Sequence, residues 1–534
     1  MSQTEVRRRQ AQAVSAVLAL ITLMVAARLA GYNGAAYVAA AVEIYAFVCI
    51  AVSGGVSNAL SRILRLRKAK GQYRNAAVMR RNALILQAAA GFLGTAVLFL
   101  WAEKITTGLF KMQYSSAILM ILAPAVFLRS LSSLLAGCSR GAGAELPVAA
   151  VEIFRQILIL VFGLMFSKML GNYGGKVSRL LAHENFTSMY GGIGIAIAVT
   201  LSEVIAALLL LLIYKLSRRR EGQNFQEGMR VTDSLVDSIR ILSVNRGAQA
   251  GMMLLAVLFV PLGMMFWQKA GNSSDTAALE YGLYLTAYGA VCAIAAGLVW
   301  LSLLPMCAGT LNLLRKEEAR FARNMFQSGV HIGVVQGAFL SAFAILMADQ
   351  LGAVFGGEQA ALAAKMFRGG GIIVLPAALS LYFARLLILT GKKFIVMGAA
   401  AAADLLYVVM VSVLLGAGKT GILSLVYGGM LAGGVLCILL GTFTYRVFRQ
   451  RMDWLYVLVV PVAAACVAGF TGMMLGKVLT PHLGNLVTAI LCFAVSGALY
   501  WTGLLLFRNF REQELEVIPG GKLLSALGQL LRVF

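Results

Sequence analysis

Eight ionisable residues lie inside long apolar stretches of this 534-residue chain, and they are its best candidates for chemistry. A charged group in apolar surroundings is costly unless it is paired or faces a cavity. A guanidinium can donate two parallel hydrogen bonds to phosphate oxygens, and a carboxylate can neutralise a guanidinium or carry a proton. The eight residues are Arg28, Glu43, Arg129, Glu152, Arg155, Glu203, Arg385 and Asp404.

Four of these charges are predicted to share one layer. At about 1.5 Å of rise per helical residue, Arg129, Glu152, Arg155 and Glu203 all lie roughly 8 to 15 Å from the same end of three consecutive stretches. Glu152 and Arg155 are three residues apart and can pair on one helical face. Two interpretations follow: an ion-pair network that locks three helices, or Arg129 and Arg155 as ligands for a pyrophosphate that displaces the carboxylates.

The other four charges have separate roles in this interpretation. Arg28 and Glu43 lie on consecutive antiparallel stretches, so Arg28 either forms a salt bridge with Glu43 or extends outward to the membrane surface. Asp404 lies near the middle of its stretch, and Arg385 lies nearer one end. A carboxylate at that depth favours proton or cation coupling or a structural hydrogen bond. The coupling or ion-pair candidates are Glu43, Glu152, Glu203, Arg385 and Asp404.

The elements that must position these side chains are membrane helices. Fourteen apolar stretches of about 20 residues or more fill the chain, each long enough to cross a hydrocarbon core. The chain is 60% hydrophobic, with a mean hydropathy of +0.83, and leaves no room for a large soluble domain. The sequence therefore predicts an all-α polytopic membrane protein with about 14 transmembrane helices.

The basic residues fall mainly in every second connection between the stretches. These connections and the two termini carry 32 of the 46 Lys and Arg, whereas the alternate connections carry 10. Because Lys and Arg accumulate on the cytoplasmic side, both termini are predicted to be cytoplasmic. The formal net charge of +24 does not indicate a nucleic-acid partner, since no soluble basic module carries it.

A repeat divides the chain. Pro124 and Glu152 are 28 residues apart, as are Pro376 and Asp404, with a basic turn between them each time. Two parallel six-helix lobes related by a pseudo-twofold axis follow, with a substrate cleft between them.

The predicted domains are residues 1–220, residues 221–450 with an amphipathic linker, and residues 451–534 with two extra helices and an amphipathic cytoplasmic tail. The linker helix at 231–241 and the tail helix after Pro519 are interpreted as surface anchors, with partner binding as the alternative.

Several other motifs carry no chemistry. The histidines His183, His331 and His482 lack metal-ligand spacing, and the seven cysteines lie in or at the ends of apolar stretches as packing residues. The glycines of Gly191–Gly194 open a helix without a preceding strand, so they are not a nucleotide motif. The sequence predicts no metal site, no cofactor and no ATP hydrolysis.

The chain resembles a known superfamily of membrane exporters. The segment at 127–147, with its glycine turn and Pro147, followed by Glu152, Arg155 and Gln156, is similar to a stretch of bacterial polysaccharide-lipid flippases. Further similar positions are Arg28 with Gly31, Ser61 with Arg62, Pro305, and the segment at 518–524. This resemblance is to the multidrug/oligosaccharidyl-lipid/polysaccharide (MOP) exporter superfamily, specifically to polysaccharide biosynthesis and stage V sporulation protein B-like flippases, relatives of the lipid II flippases.

The resemblance implies a MATE-like pair of lobes around a cavity, in the bacterial cytoplasmic membrane. It implies a flippase, not an enzyme, that moves an undecaprenyl-pyrophosphate-linked oligosaccharide or peptidoglycan precursor by alternating access. Arg28, Arg129 and Arg155 are then the cavity residues for the pyrophosphate. The expected partners are this lipid-linked glycan, the bilayer, and cell-wall or polysaccharide synthases.

Three alternatives stay open. An ion-coupled multidrug exporter of the same superfamily would usually carry a carboxylate in its first span, and residues 11–31 contain none. An integral-membrane glycosyltransferase or ligase would need reactive residues in an outer loop, where only His183 and Glu184 are available. A non-transporting scaffold for cell-wall assembly would tolerate loss of the cavity arginines.

Overall fold

The described part of the chain in this computed structural model is almost entirely helical. It comprises residues 3–181, 185–220, 234–269, 274–418, 420–448 and 453–510, together with Glu514, Gly521, Ser525 and Ala526. No strand occurs among these residues. The helices separate into two compact units, Arg7–Gly282 and a second that consists mainly of Leu283–Phe534.

Most helices of the first unit are long, and two of them, the second and the last, are shorter. They are α1 Gln3–Ser53, α2 Val56–Ala69, α3 Tyr73–Phe110, α4 Ser115–Gly141, α5 Glu145–Leu181, α6 Asn185–Arg220, α7 Leu235–Lys269 and α8 Ser274–Leu283.

The helices of the second unit are joined by short π-helical and 3-10 segments at 284–289, 357–359, 371–373 and 455–459. They are α9 Ala290–Arg315, α10 Ala319–Leu346, α11 Ala348–Gly356, α12 Ala360–Gly370, α13 Val374–Leu389, α14 Lys393–Gly416, α15 Leu423–Phe448, α16 Val460–Leu483 and α17 Asn485–Leu506.

Thirteen of these helical stretches are long and apolar enough to cross a membrane in the described part of the chain. The first, Gln10–Ala69, contains two of the fourteen predicted spans, because Gly31 breaks the helical path of α1 with φ 75° and ψ 169°. Only glycine adopts such a backbone easily. The prediction of about 14 transmembrane helices is therefore confirmed.

The helices extend beyond their apolar cores. Helix α5 has 37 residues and runs to Leu181, next to the outer loop predicted at His183 and Glu184. At about 1.5 Å per residue it is roughly 55 Å long, against roughly 30 Å of hydrocarbon. Hydropathy marks only the part of a helix that lies in lipid, which is why the predicted spans are shorter.

Helix α2 packs tightly within the first unit. Leu60 and Leu64 are fully buried in one cluster with Met79 of α3, Leu134 of α4 and Leu242 of α7. Lipid offers no hydrophobic drive for helix association, so close contact depends on small residues. A Cβ at Gly137 of α4 would lie 3.1 Å from Ser57 Cα, and this approach brings the end of α4 against the start of α2.

The linker and tail predictions are only partly within the described residues. From Leu235 onward, the predicted linker helix is the first part of α7 and is continuous with its apolar span; residues 231–233 lie outside the described part. Most of the tail helix after Pro519 also lies outside it. The predicted domain limits at 220 and 450 stay a prediction, and α7 packs against α2 and α3 in the first unit.

In the second unit, α10 packs against α9, α13 and α16, and one of its residues, His331, is fully buried. His331 Nδ1 lies 3.1 Å from Glu514 Oε2, and its Nε2 lies 3.1 Å from Asn509 Nδ2. Tyr456 donates a hydrogen bond to the same Glu514 oxygen at 3.3 Å, and its ring lies 4.5 Å from the imidazole. These contacts tie the segment after α17 to α10.

We predict that Glu514→Ala lowers the thermal unfolding midpoint of the full-length protein in detergent. The change leaves the buried His331 nitrogen without its carboxylate, at a cost of about 1 to 3 kcal/mol. The exposed Glu358 of the same unit is the control, and Glu358→Ala should leave the midpoint unchanged. Equal midpoints for the two variants would contradict the structural role of Glu514.

Candidate functional site

Three helices of the first unit bring the predicted charges together. Helix α6 packs along both α4 and α5. The contact with α5 is close because a Cβ at Gly194 would lie only 2.5 Å from the backbone carbon of Phe166. Arg155 of α5 and Glu203 of α6 can therefore meet inside the unit.

Glu203 is the charge centre of this cluster. Its side chain is fully buried, and Arg155 Nη1 donates to its Oε1 at 2.5 Å. Arg129 of α4 approaches the same oxygen, with Nη1 at 3.7 Å. The other oxygen, Oε2, is buried and accepts no hydrogen bond within the described residues. One carboxylate thus compensates two guanidinium groups from two helices.

Glu152 has a different partner from the one its spacing indicated. Arg140 Nη2 donates to Glu152 Oε1 at 2.9 Å, and the structure forms no ion pair between Glu152 and Arg155 within the described residues. Arg140 also donates to Ser57 Oγ at 3.0 Å and to Asn58 Oδ1 at 3.4 Å. Neighbouring helices offer both charges a better-aligned partner than the position three residues away, so three ion pairs, Arg140–Glu152, Arg155–Glu203 and Arg129–Glu203, cross-link α4, α5 and α6.

A cavity of about 430 Å³ opens beside these ion pairs. Four charged side chains line it, namely Arg129, Arg140, Glu152 and Arg155, and Glu203 lies directly behind them. The three arginines exceed the two carboxylates by one positive charge. The side chain of Arg129 is the most exposed of the three, at 36% against 13% for Arg155 and 3% for Arg140.

The remaining cavity wall mixes polar side chains with small and apolar ones such as Ile50, Val148 and Leu210. Serine, asparagine and glutamine side chains come from α1, α2, α4 and α7: Gln12, Ser15, Ser53, Ser57, Asn58, Ser132, Ser133 and Gln249. The polar side chains of this wall offer hydrogen-bond donors to an anionic group.

The other predicted site residues lie outside this cavity. Arg28 is exposed on α1 and Glu43 is half-buried, and no ion pair joins them in the described residues. Arg385 on α13 and Asp404 on α14 are half-buried in the second unit, where the described residues form no ion pair between them. The structure therefore brings together Arg129, Glu152, Arg155 and Glu203, but not these four.

Arg140 is the functional candidate that sequence reasoning missed. Its position next to Gly141 indicated a basic turn on the membrane surface, yet α4 continues to Gly141 and the side chain is buried. The available signal was composition: Arg140 follows a run of small residues, 136–139, of the kind that lets helices approach closely.

No family model matches the chain, and no curated protein matches its sequence. Solved structures share its fold. A multidrug resistance MATE family transporter of the MOP superfamily is 13% identical, with a TM-score of 0.62 over 84% of this chain and 98% of that one. The lipid II flippase MurJ is 11% identical, with a TM-score of 0.60 over 93% of this chain and 99% of that one.

A MOP superfamily transporter from Pyrococcus furiosus, described as having reverse polarity of its binding pocket, is 13% identical. Its TM-score is 0.57 over 84% of this chain and 98% of that one. The predicted fold, that of the MATE-like MOP superfamily, is confirmed by these three structures.

We predict that Glu203→Gln destabilises the protein, because Arg155 then loses its counter-charge at a buried position. Removing one partner of a buried pair costs roughly 3 to 5 kcal/mol, whereas an exposed pair contributes roughly 0 to 1 kcal/mol. Thermal unfolding in detergent should show a clear loss for Glu203→Gln. The matched control is Glu145→Gln, which removes the carboxylate partner of the half-exposed Arg65. Equal losses for the two variants would contradict the central role of Glu203.

Proposed function

We propose that this chain, which has the MOP superfamily fold, is a flippase that moves an undecaprenyl-pyrophosphate-linked oligosaccharide or peptidoglycan precursor across the bacterial cytoplasmic membrane by alternating access. The observation that carries the proposal is the arginine-rich cavity of the first unit. Arg129 has the most exposed side chain of the three cavity arginines, and Arg155 contacts the same carboxylate.

A pyrophosphate fits this arrangement chemically. It carries more negative charge than one carboxylate, and each guanidinium can donate two parallel hydrogen bonds to its oxygens. The cavity holds one positive charge more than its carboxylates balance, so an anion that enters improves the charge balance. A cation would add to the excess.

Glu203 and Glu152 act as resident counter-charges in this mechanism. They hold Arg155 and Arg140 while the cavity is empty of cargo, which avoids an uncompensated guanidinium in a low-dielectric site. When the diphosphate binds, it takes over part of this compensation. Release on the other side of the membrane returns the arginines to their carboxylates, so transport needs no bond to be broken.

The resemblance in the sequence adds Arg28 to the proposed cargo-binding residues. Arg28 is exposed on α1, close to the break at Gly31. A guanidinium there can bind a headgroup at another stage of the transport cycle. The proposed partners are the lipid-linked glycan, the bilayer and the synthases that make or use the glycan.

An ion-coupled multidrug exporter is the second candidate, because MATE transporters share the fold as closely as MurJ does. The half-buried carboxylates Glu43 and Asp404 favour it, since each lies within a membrane helix and can carry a proton. The net positive charge of the cavity favours the flippase. The transporter from Pyrococcus furiosus is described as having a reversed pocket polarity, so this fold accommodates pockets of either sign.

We predict that Arg129→Ala, Arg155→Ala and Arg28→Ala each prevent the protein from supporting growth of a flippase-depleted bacterial strain. Each removes a guanidinium proposed to hold the diphosphate. Immunoblots of isolated membranes should show that each variant is still inserted in the membrane. Arg65→Ala is the control, because Arg65 pairs with Glu145 and does not line the cavity.

Normal growth with Arg28→Ala and Arg155→Ala combined would reject the proposal. If the arginine variants instead retained or increased resistance to cationic drugs that the wild-type protein exports, the multidrug alternative would replace it.

The orientation in the membrane gives a separate prediction. A phosphatase active only outside the cytoplasm should be inactive when fused after Gly71, between α2 and α3, and active after Met112, between α3 and α4. The basic residues around Gly71 hold that connection in the cytoplasm. The reverse pattern of activity would overturn the proposed cytoplasmic location of both termini.

A further inference from the structure

The two carboxylates of the charge cluster differ in their contact with water. Glu152 lines the cavity, its side chain is 25% exposed, and it has its own partner in Arg140. Glu203 lies behind the cavity wall, and its side chain is fully buried. Water can therefore stabilise the charge of Glu152, whereas the charge of Glu203 depends on protein groups alone.

The compensation of Glu203 is concentrated on one of its oxygens. Arg155 Nη1 lies 2.5 Å from Oε1, and Arg129 Nη1 lies 3.7 Å from the same atom. The other oxygen, Oε2, is buried and has no hydrogen-bond partner among the residues that the structure describes. A carboxylate buried without a counter-charge is so costly that such a group takes up a proton instead. The charge state of Glu203 thus depends on how fully the two arginines serve it.

Helix α1 adds two titratable side chains next to this cluster. Tyr45 and Cys49 lie close enough to Glu203 and its two arginines to interact with them electrostatically. A phenol and a thiol are ordinarily neutral at neutral pH. Neither side chain therefore compensates the carboxylate.

A further half-buried arginine of the first unit is engaged elsewhere. Arg246 of α7 donates to the carbonyl oxygens of Val52 at 2.5 Å and Ala51 at 3.1 Å, at the end of α1. Within the described ranges it forms no ion pair with Glu203. The compensation of Glu203 therefore comes from the two arginines on its Oε1.

An anion in the cavity changes the charge balance of this cluster. Its three arginines exceed its two carboxylates by one positive charge. A lipid-linked diphosphate brings one negative charge on each of its two phosphates, so the cluster with its cargo carries one negative charge in excess. A nearby negative charge favours the neutral form of a carboxyl group, most strongly where water is excluded. Glu203 is the carboxylate that meets this condition.

We propose that Glu203 is a proton-binding site that is filled when an anion occupies the cavity, so that the cargo and one proton bind together. This inference rests on the proposed function and adds a proton to the ligands of the same site. The proton comes from water in the cavity and forms an O–H bond on the Glu203 carboxylate. The diphosphate keeps all its bonds, and the proton returns to water when the cargo leaves. A neutral Glu203 no longer competes with the phosphates for Arg129 and Arg155.

The test measures how anion affinity depends on pH in the full-length protein in lipid nanodiscs. The probes are a soluble dimethyl diphosphate, with one methyl group on each phosphate, and an undecaprenyl-pyrophosphate-linked monosaccharide. Both are diphosphate diesters, so their own charge does not change near neutral pH. Dissociation constants are measured by calorimetry from about pH 5 to about pH 9. Because the complex holds one proton more than the free protein, affinity should fall as pH rises, by about tenfold per pH unit at the steepest part.

Two matched amide variants identify the carboxylate that takes the proton. Glu203→Gln removes the proposed proton acceptor, so the dissociation constant should no longer depend on pH. Glu152→Gln makes the same change at the cavity wall and should keep the dependence of the wild-type protein. Only the slopes against pH are compared, because the loss of either carboxylate also changes the net charge of the cavity.

A spectroscopic measurement on the wild-type protein covers the case in which Glu203→Gln does not fold. Infrared difference spectra should show the carbonyl band of a protonated carboxyl group when dimethyl diphosphate binds. The band should persist in Glu152→Gln. Binding without this band, or a band that disappears in Glu152→Gln, would overturn the proton site at Glu203.

The outcomes separate this site from the proposed function. If both probes bind equally well at every pH, the proton site is overturned and the flippase proposal stands. If dimethyl diphosphate binds with the expected slope but the lipid-linked monosaccharide does not bind, the proton site stands and the flippase proposal fails. Wild-type protein that binds neither probe overturns both.

Discussion

A charge inside a membrane protein must have its compensation built beside it, and in this chain the buried carboxylate of Glu203 provides it. The carboxylate is fully enclosed, yet it serves Arg155 directly and Arg129 at longer range. Helices α4, α5 and α6 must keep their register for these contacts to exist. The close approach at Gly194 is what permits that register, so packing and electrostatics depend on the same contact.

The exposure of these charges changes in steps across the cluster. The side chain of Glu203 is enclosed, that of Arg155 is nearly so, and that of Arg129 is about one third exposed. The negative charge of Glu203 therefore lies behind the cavity wall, and the positive charge of Arg129 lies in the wall itself. A site of this kind stays stable while it is empty, because its arginines are compensated from behind, and it remains attractive to an anion from the front.

The sequence was sufficient for the fold but not for the pairing within the site. Helix count and the layer shared by Arg129, Glu152, Arg155 and Glu203 follow from hydropathy and helical rise. The partner of Glu152 does not, because it depends on how α4 is rotated about its axis. Arg140 was assigned to a turn since nothing local shows that α4 continues past it. The break between α1 and α2 at Gly54-Gly55 could not be predicted either, because two glycines in an apolar run are equally typical of close helix packing.

The two hydrogen bonds from Arg246 link the positions of α1 and α7. They attach α7 to carbonyl groups at the end of α1, directly before the break at Gly54-Gly55 that separates α1 from α2. If α7 moved away alone, the carbonyl groups of Ala51 and Val52 would lose their charged donor. A motion that carries the end of α1 along with α7 keeps both hydrogen bonds. Helix α7 is a single helix of 35 residues with Pro261 inside it, so a displacement of the end of α1 would be carried into α7 first.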